Sequence, residues 1–208
     1  MSLWEAYPEI HEELIKVENY MKKAVPSRKK ILTEISLELI ESGGKRLRPA
    51  FVILGAKCGK YDPEKIIPLG AAIELLHTAT LVHDDIIDES KLRRGKTTVQ
   101  AKYGRDMAVY TGDYLFTKAF TILSNKTSFE HLNRIAQGVK AICEGEIDQY
   151  EIKYNTDVTV MDYLKRIYRK TAVLFAMSIL VGAYEGKCKR KTLNALGNLH
   201  FLSGWHFK

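Results

Sequence analysis

The chain has 208 residues, 46% of them hydrophobic and 27% charged, and a formal net charge of +7. That length and composition suit one globular domain with a sizeable core and exclude a disordered chain. The start of the chain lacks a signal-peptide layout, and the longest uncharged run of interest, residues 172–183, is far short of the ~20 apolar residues of a membrane span. The expectation is a cytoplasmic protein with no transmembrane segment.

Helical periodicity then dominates in chain order. Ile10, Leu14, Val17 and Met21 share one face of a first helix, which Pro26 interrupts. Ile31, Ile35, Leu39 and Ile40 mark a second helix, ended by Gly43-Gly44. Residues 51–58 continue helically after Pro49. Asp62-Pro63 starts a long helix that runs to about Glu89, with Pro68 as a kink point. Gly95 and Gly104 flag a loop region. Residues 106–123, 130–151, 160–184 and 190–208 read as further helices. There is no Asn-Gly hairpin signal, no series of alternating strands, no repeat and no linker. The fold class expected is all-α, with residues 1–208 forming a single domain, a bundle of long antiparallel helices. Cys58, Cys143 and Cys188 are odd in number and widely spaced, and read as reduced structural thiols. The basic runs at residues 22–30 and 187–191 read as solvated helix ends and loops. No nucleic-acid motif accompanies them, so no nucleic-acid partner is expected.

One cluster resists a purely structural account. Asp84 and Asp88 lie four apart and share a helix face, with Leu81, Thr80 and His77 on or near it. Like charges at that spacing cost a helix about 0.2–0.5 kcal/mol. Near the helix C-terminus the dipole adds about 0.3–1 kcal/mol against each anion. Magnesium suits such a pair, because it takes one or two carboxylates together with phosphate oxygens and water. On spacing alone, the plainer reading is an acidic helix end neutralised by Lys91, Arg93 and Arg94.

Basic groups flank the cluster. Gly43 to Pro49 reads Gly-Gly-Lys-Arg-Leu-Arg-Pro and puts three cations on a glycine-rich loop, suited to phosphate but without the spacing of a Walker loop. Arg93-Arg94-Gly95-Lys96-Thr97-Thr98 follows the aspartates after one turn. Tyr168-Arg169-Lys170-Thr171 heads a later apolar helical stretch. Each group alone passes as ordinary surface charge.

In this order the groups resemble the trans-prenyltransferases, or polyprenyl diphosphate synthases. That family carries a Gly-Gly-Lys-x-x-Arg-Pro loop, an Asp-Asp-x-x-Asp motif, then Arg-Arg-Gly and a later Lys-Thr. The resemblance runs across nearly the whole chain and implies an isoprenoid synthase-like helical fold. It implies an enzyme condensing isopentenyl diphosphate with an allylic diphosphate, with Mg2+ as cofactor. Asp84, Asp85 and Asp88 would form the first aspartate-rich motif, Asp84 and Asp88 being the direct metal ligands. Arg93 and Lys170 would hold the allylic diphosphate, with Thr171 near its bridging oxygen. Lys45, Arg48, His77 and Arg94 would hold isopentenyl diphosphate. The small Ala79 and Thr80, one turn below Asp84, imply a product of geranylgeranyl length or longer. A homodimer, or pairing with a full-length subunit, is the expected assembly.

The family pattern is not complete. A second aspartate-rich motif is expected after Gly-x-Ala-Phe-Gln, whereas the chain reaches Gly204-Trp205-His206-Phe207-Lys208, with His206 and Lys208 in place of Ala and Gln. The last helical segment has no Gly or Asn cap. Missing C-terminal helices are therefore expected. They keep a second reading open, a truncated, non-catalytic diphosphate-binding or regulatory subunit. A class I terpene cyclase is a third reading, but it would not need Lys45, Arg48 and Arg94.

Overall fold

The computed structural model describes residues 3–151, 159, 161 and 172–203. A 3-10 turn, Leu3–Ala6, leads into α1 (Pro8–Ala24), α2 (Lys30–Glu41), α3 (Leu47–Lys57) and α4 (Pro63–Ile87). A small hairpin follows, β1 (Leu92–Arg93) and β2 (Lys96–Thr97). Then come α5 (Val99–Tyr103), α6 (Arg105–Lys126), α7 (Phe129–Glu151), α8 (Val173–Glu185) and α9 (Arg190–Ser203). The all-α expectation holds, with that hairpin as the exception among the described residues. Two compact units emerge, Met1–Ala50 with Ile67–Lys126, and Phe51–Ile66 with Thr127–Lys208.

In the first unit, α1 opens with Pro8, whose missing N–H falls where no intrahelical bond is needed. Its predicted face is the buried one: Ile10, Leu14, Val17 and Met21. Helix α2 buries Ile35 and Ile40 and stops where Gly43 turns left-handed, at φ 74°. Helix α4 is buried without a break from Ile66 to Leu76, so it shows no polar stripe there. It runs as one helix through Pro68. By length and composition α4 passes as a membrane-crossing helix, which a search for uncharged runs overlooks because Glu74 interrupts it. Yet 72% of the qualifying window is buried within the fold, as befits a core helix.

The hairpin departs from the sequence expectation of a plain loop. Leu92 pairs with Thr97 and Arg93 with Lys96. The two turn residues, Arg94 and Gly95, both have positive φ, 52° and 77°. That is the geometry of the two-residue hairpin turn usually signalled by Asn-Gly. Here an arginine occupies the Asn position, so the usual signal is absent.

In the second unit, α3 and α8 meet backbone to backbone. A Cβ on Gly55 would run into the Ile179 carbonyl, and one on Gly182 into the Val52 carbonyl. Phe51 and Phe175 stack edge to face beside them, 5.5 Å between centroids. At the end of α8, buried Glu185 accepts hydrogen bonds from Thr127 and from His131 Nδ1 (2.6 Å) and pairs with Lys65. Burial pushes the Glu185 carboxyl up, but its contacts with Lys65, Thr127 and His131 together outweigh that and hold it below its ordinary value.

Candidate functional site

The C-terminal turn of α4 supplies the aspartates. The Asp88 N–H donates to the Asp84 carbonyl at 2.8 Å, so the two share one face as expected. Asp84 is half-buried and Asp88 exposed. Asp85, on another face, is only 6% exposed. It is gripped by the Arg93 fork, with Nε at 2.8 and 3.0 Å from its two oxygens and Nη2 at 2.7 Å from Oδ1. That grip, with the further pull of Asp84 and Asp88 against the cost of burial, raises the Arg93 pKa. Behind it, Thr98 caps α5 and donates to the Ser90 carbonyl at 2.7 Å, and Gln100 Nε2 donates to the carbonyls of Asp85 and Ser90. Thr98 and Gln100 thus fasten the turn that aims Arg93. A short helix start after Thr97-Thr98 is the one sequence signal that points to them.

The loop Gly43–Arg46, with Arg48 in the first turn of α3, is the second wall of the site. Gly43 and Gly44 have φ of 74° and 155°, and Arg46 is left-handed at 49°. Arg94 donates from Nη1 to the Gly43 carbonyl. A Cβ on Gly44 would sit 2.5 Å from that same nitrogen, so any side chain there would push the guanidinium off the backbone it crosses. Arg46, counted in the sequence as one of three loop cations, is occupied internally. It bonds the Ile40 carbonyl at 2.5 Å, Glu74 at 3.0 Å and Glu18 at 3.3 Å. Glu74, 6% exposed, has no signature in the sequence beyond interrupting an apolar run.

Electrostatically this wall is strongly positive. Burial lowers the Arg48 pKa to about 10, with Glu74 opposing and Arg94 assisting. Burial, then Arg48, Arg94, Arg93 and Arg46, lower His77 to about 2. The imidazole is therefore neutral at neutral pH. Lys45 is exposed.

A small cleft collects part of this set. Its lining includes Gly43, Arg46, Glu74, His77, Asp85, Arg93 and Arg94. Asp84, Asp88, Lys45 and Arg48 are not among its walls. Ala79 is fully buried in α4, and Thr80 is half-buried with its hydroxyl donating to the His77 carbonyl at 2.8 Å. Lys170 and Thr171 lie outside the described residues. Among the described residues no three His, Cys, Asp or Glu side chains converge as a metal cage. Asp85 is held by Arg93, and Asp84 and Asp88 put two carboxylates on one helical face. This donor set fits magnesium completed by ligand phosphates and water, and does not fit zinc.

Comparison with known proteins yields a consistent set. The polyprenyl synthetase family model matches residues 29–208. The chain is 42% identical over 183 residues to heptaprenyl diphosphate synthase component 2 of Geobacillus stearothermophilus, covering 88% of this chain and 57% of that protein. The crystal structure of heptaprenyl diphosphate synthase from Staphylococcus aureus superposes with a TM-score of 0.90 at 38% identity, over 94% of this chain and 62% of the other. That of geranylgeranyl pyrophosphate synthase from Lactobacillus brevis gives 0.93 at 33%, over 97% and 63%. The chain thus spans little more than half the length of the Geobacillus protein.

Proposed function

Because the chain belongs to the polyprenyl synthetase family, we propose that it is a prenyltransferase acting on isopentenyl diphosphate and an allylic diphosphate. The observation that carries the reading is the cleft walled by Gly43, His77, Asp85, Arg93 and Arg94. It joins a glycine-rich cationic loop to the end of an acidic helix. In the proposed reaction the C–O bond of the allylic diphosphate breaks and the isopentenyl double bond attacks the resulting cation. A new C–C bond forms, and the proton lost goes to the departing pyrophosphate.

The proposed division of labour follows the charges. Asp84 and Asp88 would hold magnesium, which when bound would neutralise charge on the diphosphate leaving group. Arg93, steadied by Asp85, is assigned to the allylic diphosphate, and Lys170 and Thr171, outside the described residues, keep the roles that the family resemblance implies. Lys45, Arg48 and Arg94 take the isopentenyl diphosphate, and neutral His77 offers it a hydrogen bond without repelling a cation. Residues 1–208 are assigned to one prenyl-synthase domain working in the cytoplasm. Ala79 and Thr80 leave room for a product of geranylgeranyl length or longer. Ala79→Phe is expected to shorten that product by at least one isoprene unit, read by chromatography of the dephosphorylated prenols. Unchanged length would remove Ala79 from the chain-length role.

A second reading, a diphosphate-binding subunit working with another chain, is favoured by two observations. The Geobacillus relative is named as a component. Helix α7 also leaves Phe129, Ile147 and Tyr150 exposed at 86%, 60% and 74%, more apolar area than a solvated helix usually presents. The deciding experiment incubates the purified chain with magnesium, radiolabelled isopentenyl diphosphate and a series of allylic primers. Elongated prenyl products support the enzyme. Binding without turnover supports the subunit, and cyclic hydrocarbons would replace both readings with a cyclase.

A further inference from the structure

The loop that carries Lys45 has an anchor that none of the proposed roles uses. Trp4, in the turn Leu3–Ala6, donates its indole Nε1–H to the Lys45 carbonyl at 2.6 Å, across 41 positions of sequence. Tyr7 packs against the Trp4 ring, centroids 6.5 Å apart and planes at 62°. The family match begins only at residue 29, so this anchor comes from outside the matched segment.

Its position on the loop matters. Arg94 fixes the Gly43 carbonyl, and the Arg46 guanidinium is fixed by Ile40, Glu18 and Glu74. The peptide plane between them, from Lys45 to Arg46, is the one Trp4 holds. Rotation of that plane sets the φ of Arg46, which is left-handed, a conformation an L-residue keeps only when its surroundings enforce it. The same plane directs the Lys45 side chain, whose ammonium has no carboxylate partner among the described residues.

We propose that Trp4 is a positioning residue for the diphosphate-binding loop, holding the Lys45 peptide in the orientation that presents the ammonium to isopentenyl diphosphate. The inference rests on the diphosphate reading of Lys45 given above. An indole can only donate, and a backbone carbonyl can only accept, so the contact has one polarity and one replaceable atom.

Trp4→Phe keeps an aromatic ring and removes the donor. Amide hydrogen exchange over residues 43–48 is expected to quicken about three- to tenfold, the size of one lost neutral hydrogen bond. Calorimetric affinity for isopentenyl diphosphate without magnesium should fall by a similar factor. The thermal midpoint should fall by no more than the few degrees that one hydrogen bond supplies, and the magnesium-dependent affinity for geranyl diphosphate should not move. Unchanged exchange at 43–48 overturns the inference, whether or not the chain binds diphosphates. Equal weakening of both ligands with a midpoint lowered beyond that also overturns it, since that is a general structural loss. Lys45→Ala separates the two readings: if it leaves isopentenyl diphosphate affinity intact, the diphosphate reading of Lys45 fails on its own account. Should Trp4→Phe not fold, 3-benzothienylalanine at position 4 preserves ring shape and replaces only the N–H, and the same exchange measurement decides.

Discussion

Buried charge is handled in opposite ways in the two units. Glu185 in the second unit is closed from three sides by Lys65, Thr127 and His131, and its carboxylate is stabilised below the ordinary value. In the first unit Asp85 and Arg46 are likewise held, by Arg93 and by Glu18 and Glu74, but other cations there crowd one another. Arg48 and His77 are pushed down by burial and by neighbouring guanidinium groups, and Lys45 is exposed beside them. A charge that serves only the fold is completed by the protein. A cluster in which cations depress one another gains from a bound anion, which restores what burial and repulsion remove. The contrast is the physical case for a ligand in the first unit and against one at Glu185.

The largest effect that would break the contrast lies at the aspartates. Replacing Asp84 and Asp88 together by Asn is expected to weaken magnesium-dependent binding of an allylic diphosphate about a thousandfold, or ~4 kcal/mol. That exceeds the roughly ten- to hundredfold of losing a partner that only orients a ligand group. Titration with and without magnesium checks it. A double variant that binds as wild type would return Asp84 and Asp88 to the status of an acidic helix end. Next in size is Glu185→Ala, which strands Lys65 and His131 and should lower unfolding free energy by about 3 kcal/mol in urea at pH 7. Its contribution is present above the ordinary carboxylate value of 4.5 and fades as pH falls through the lower folded value. A variant as stable as wild type would mean the clasp around Glu185 stabilises nothing.

Much of this was legible from the chain itself, for reasons that can be named. Helix α1 buries the residues its 3.6-residue period marks, α2 buries Ile35 and Ile40 of its four while Ile31 at its first turn is 37% exposed, and Asp62-Pro63 starts α4 as its chemistry requires. The spacing of Asp84 and Asp88 placed them on one face. What stayed hidden depends on pairs distant in sequence. Lys65, Thr127, His131 and Glu185 form no pattern until the second unit assembles. Arg46 looks like Lys45 and Arg48 until Glu18 and Glu74 are brought to it. The hairpin escaped because its signal is a backbone conformation, and Arg94 adopts a left-handed φ that its residue type disfavours. Trp4 is the sharpest case: it holds a peptide plane in the proposed site, across 41 positions of sequence.

His77 offers a smaller test that isolates the first unit. Its folded pKa of about 2 lies below its ordinary 6.5. Between those values the unfolded chain binds a proton that the folded chain refuses, so stability must fall as pH drops below 6.5. From pH 7 to pH 5 the loss is about 2 kcal/mol. That window stays above 4.5, where the Glu185 contribution is still present. Urea unfolding of wild type and His77→Gln at both pH values should show the extra loss in wild type alone. Equal losses would mean that the cations around His77 do not hold it neutral.

The finest comparison uses two glycines whose strain has different surroundings. Gly95 and Gly44 both have positive φ, 77° and 155°. A Cβ on Gly95 meets nothing within 4 Å, whereas one on Gly44 meets the Arg94 guanidinium at 2.5 Å. Gly95→Ala should therefore cost about 1 kcal/mol of stability through backbone strain alone, with isopentenyl diphosphate affinity within twofold of wild type. Gly44→Ala carries comparable strain, and in addition must push Arg94 off the loop. The displaced group is the end of a flexible side chain, so the fold tolerates it, but the geometry of the cationic wall does not survive. Affinity should fall about fivefold, ~1 kcal/mol, for Gly44→Ala and not for Gly95→Ala. If both variants lose affinity equally, the hairpin turn as a whole tunes the site, and the crossing of Arg94 over Gly44 is not what shapes it.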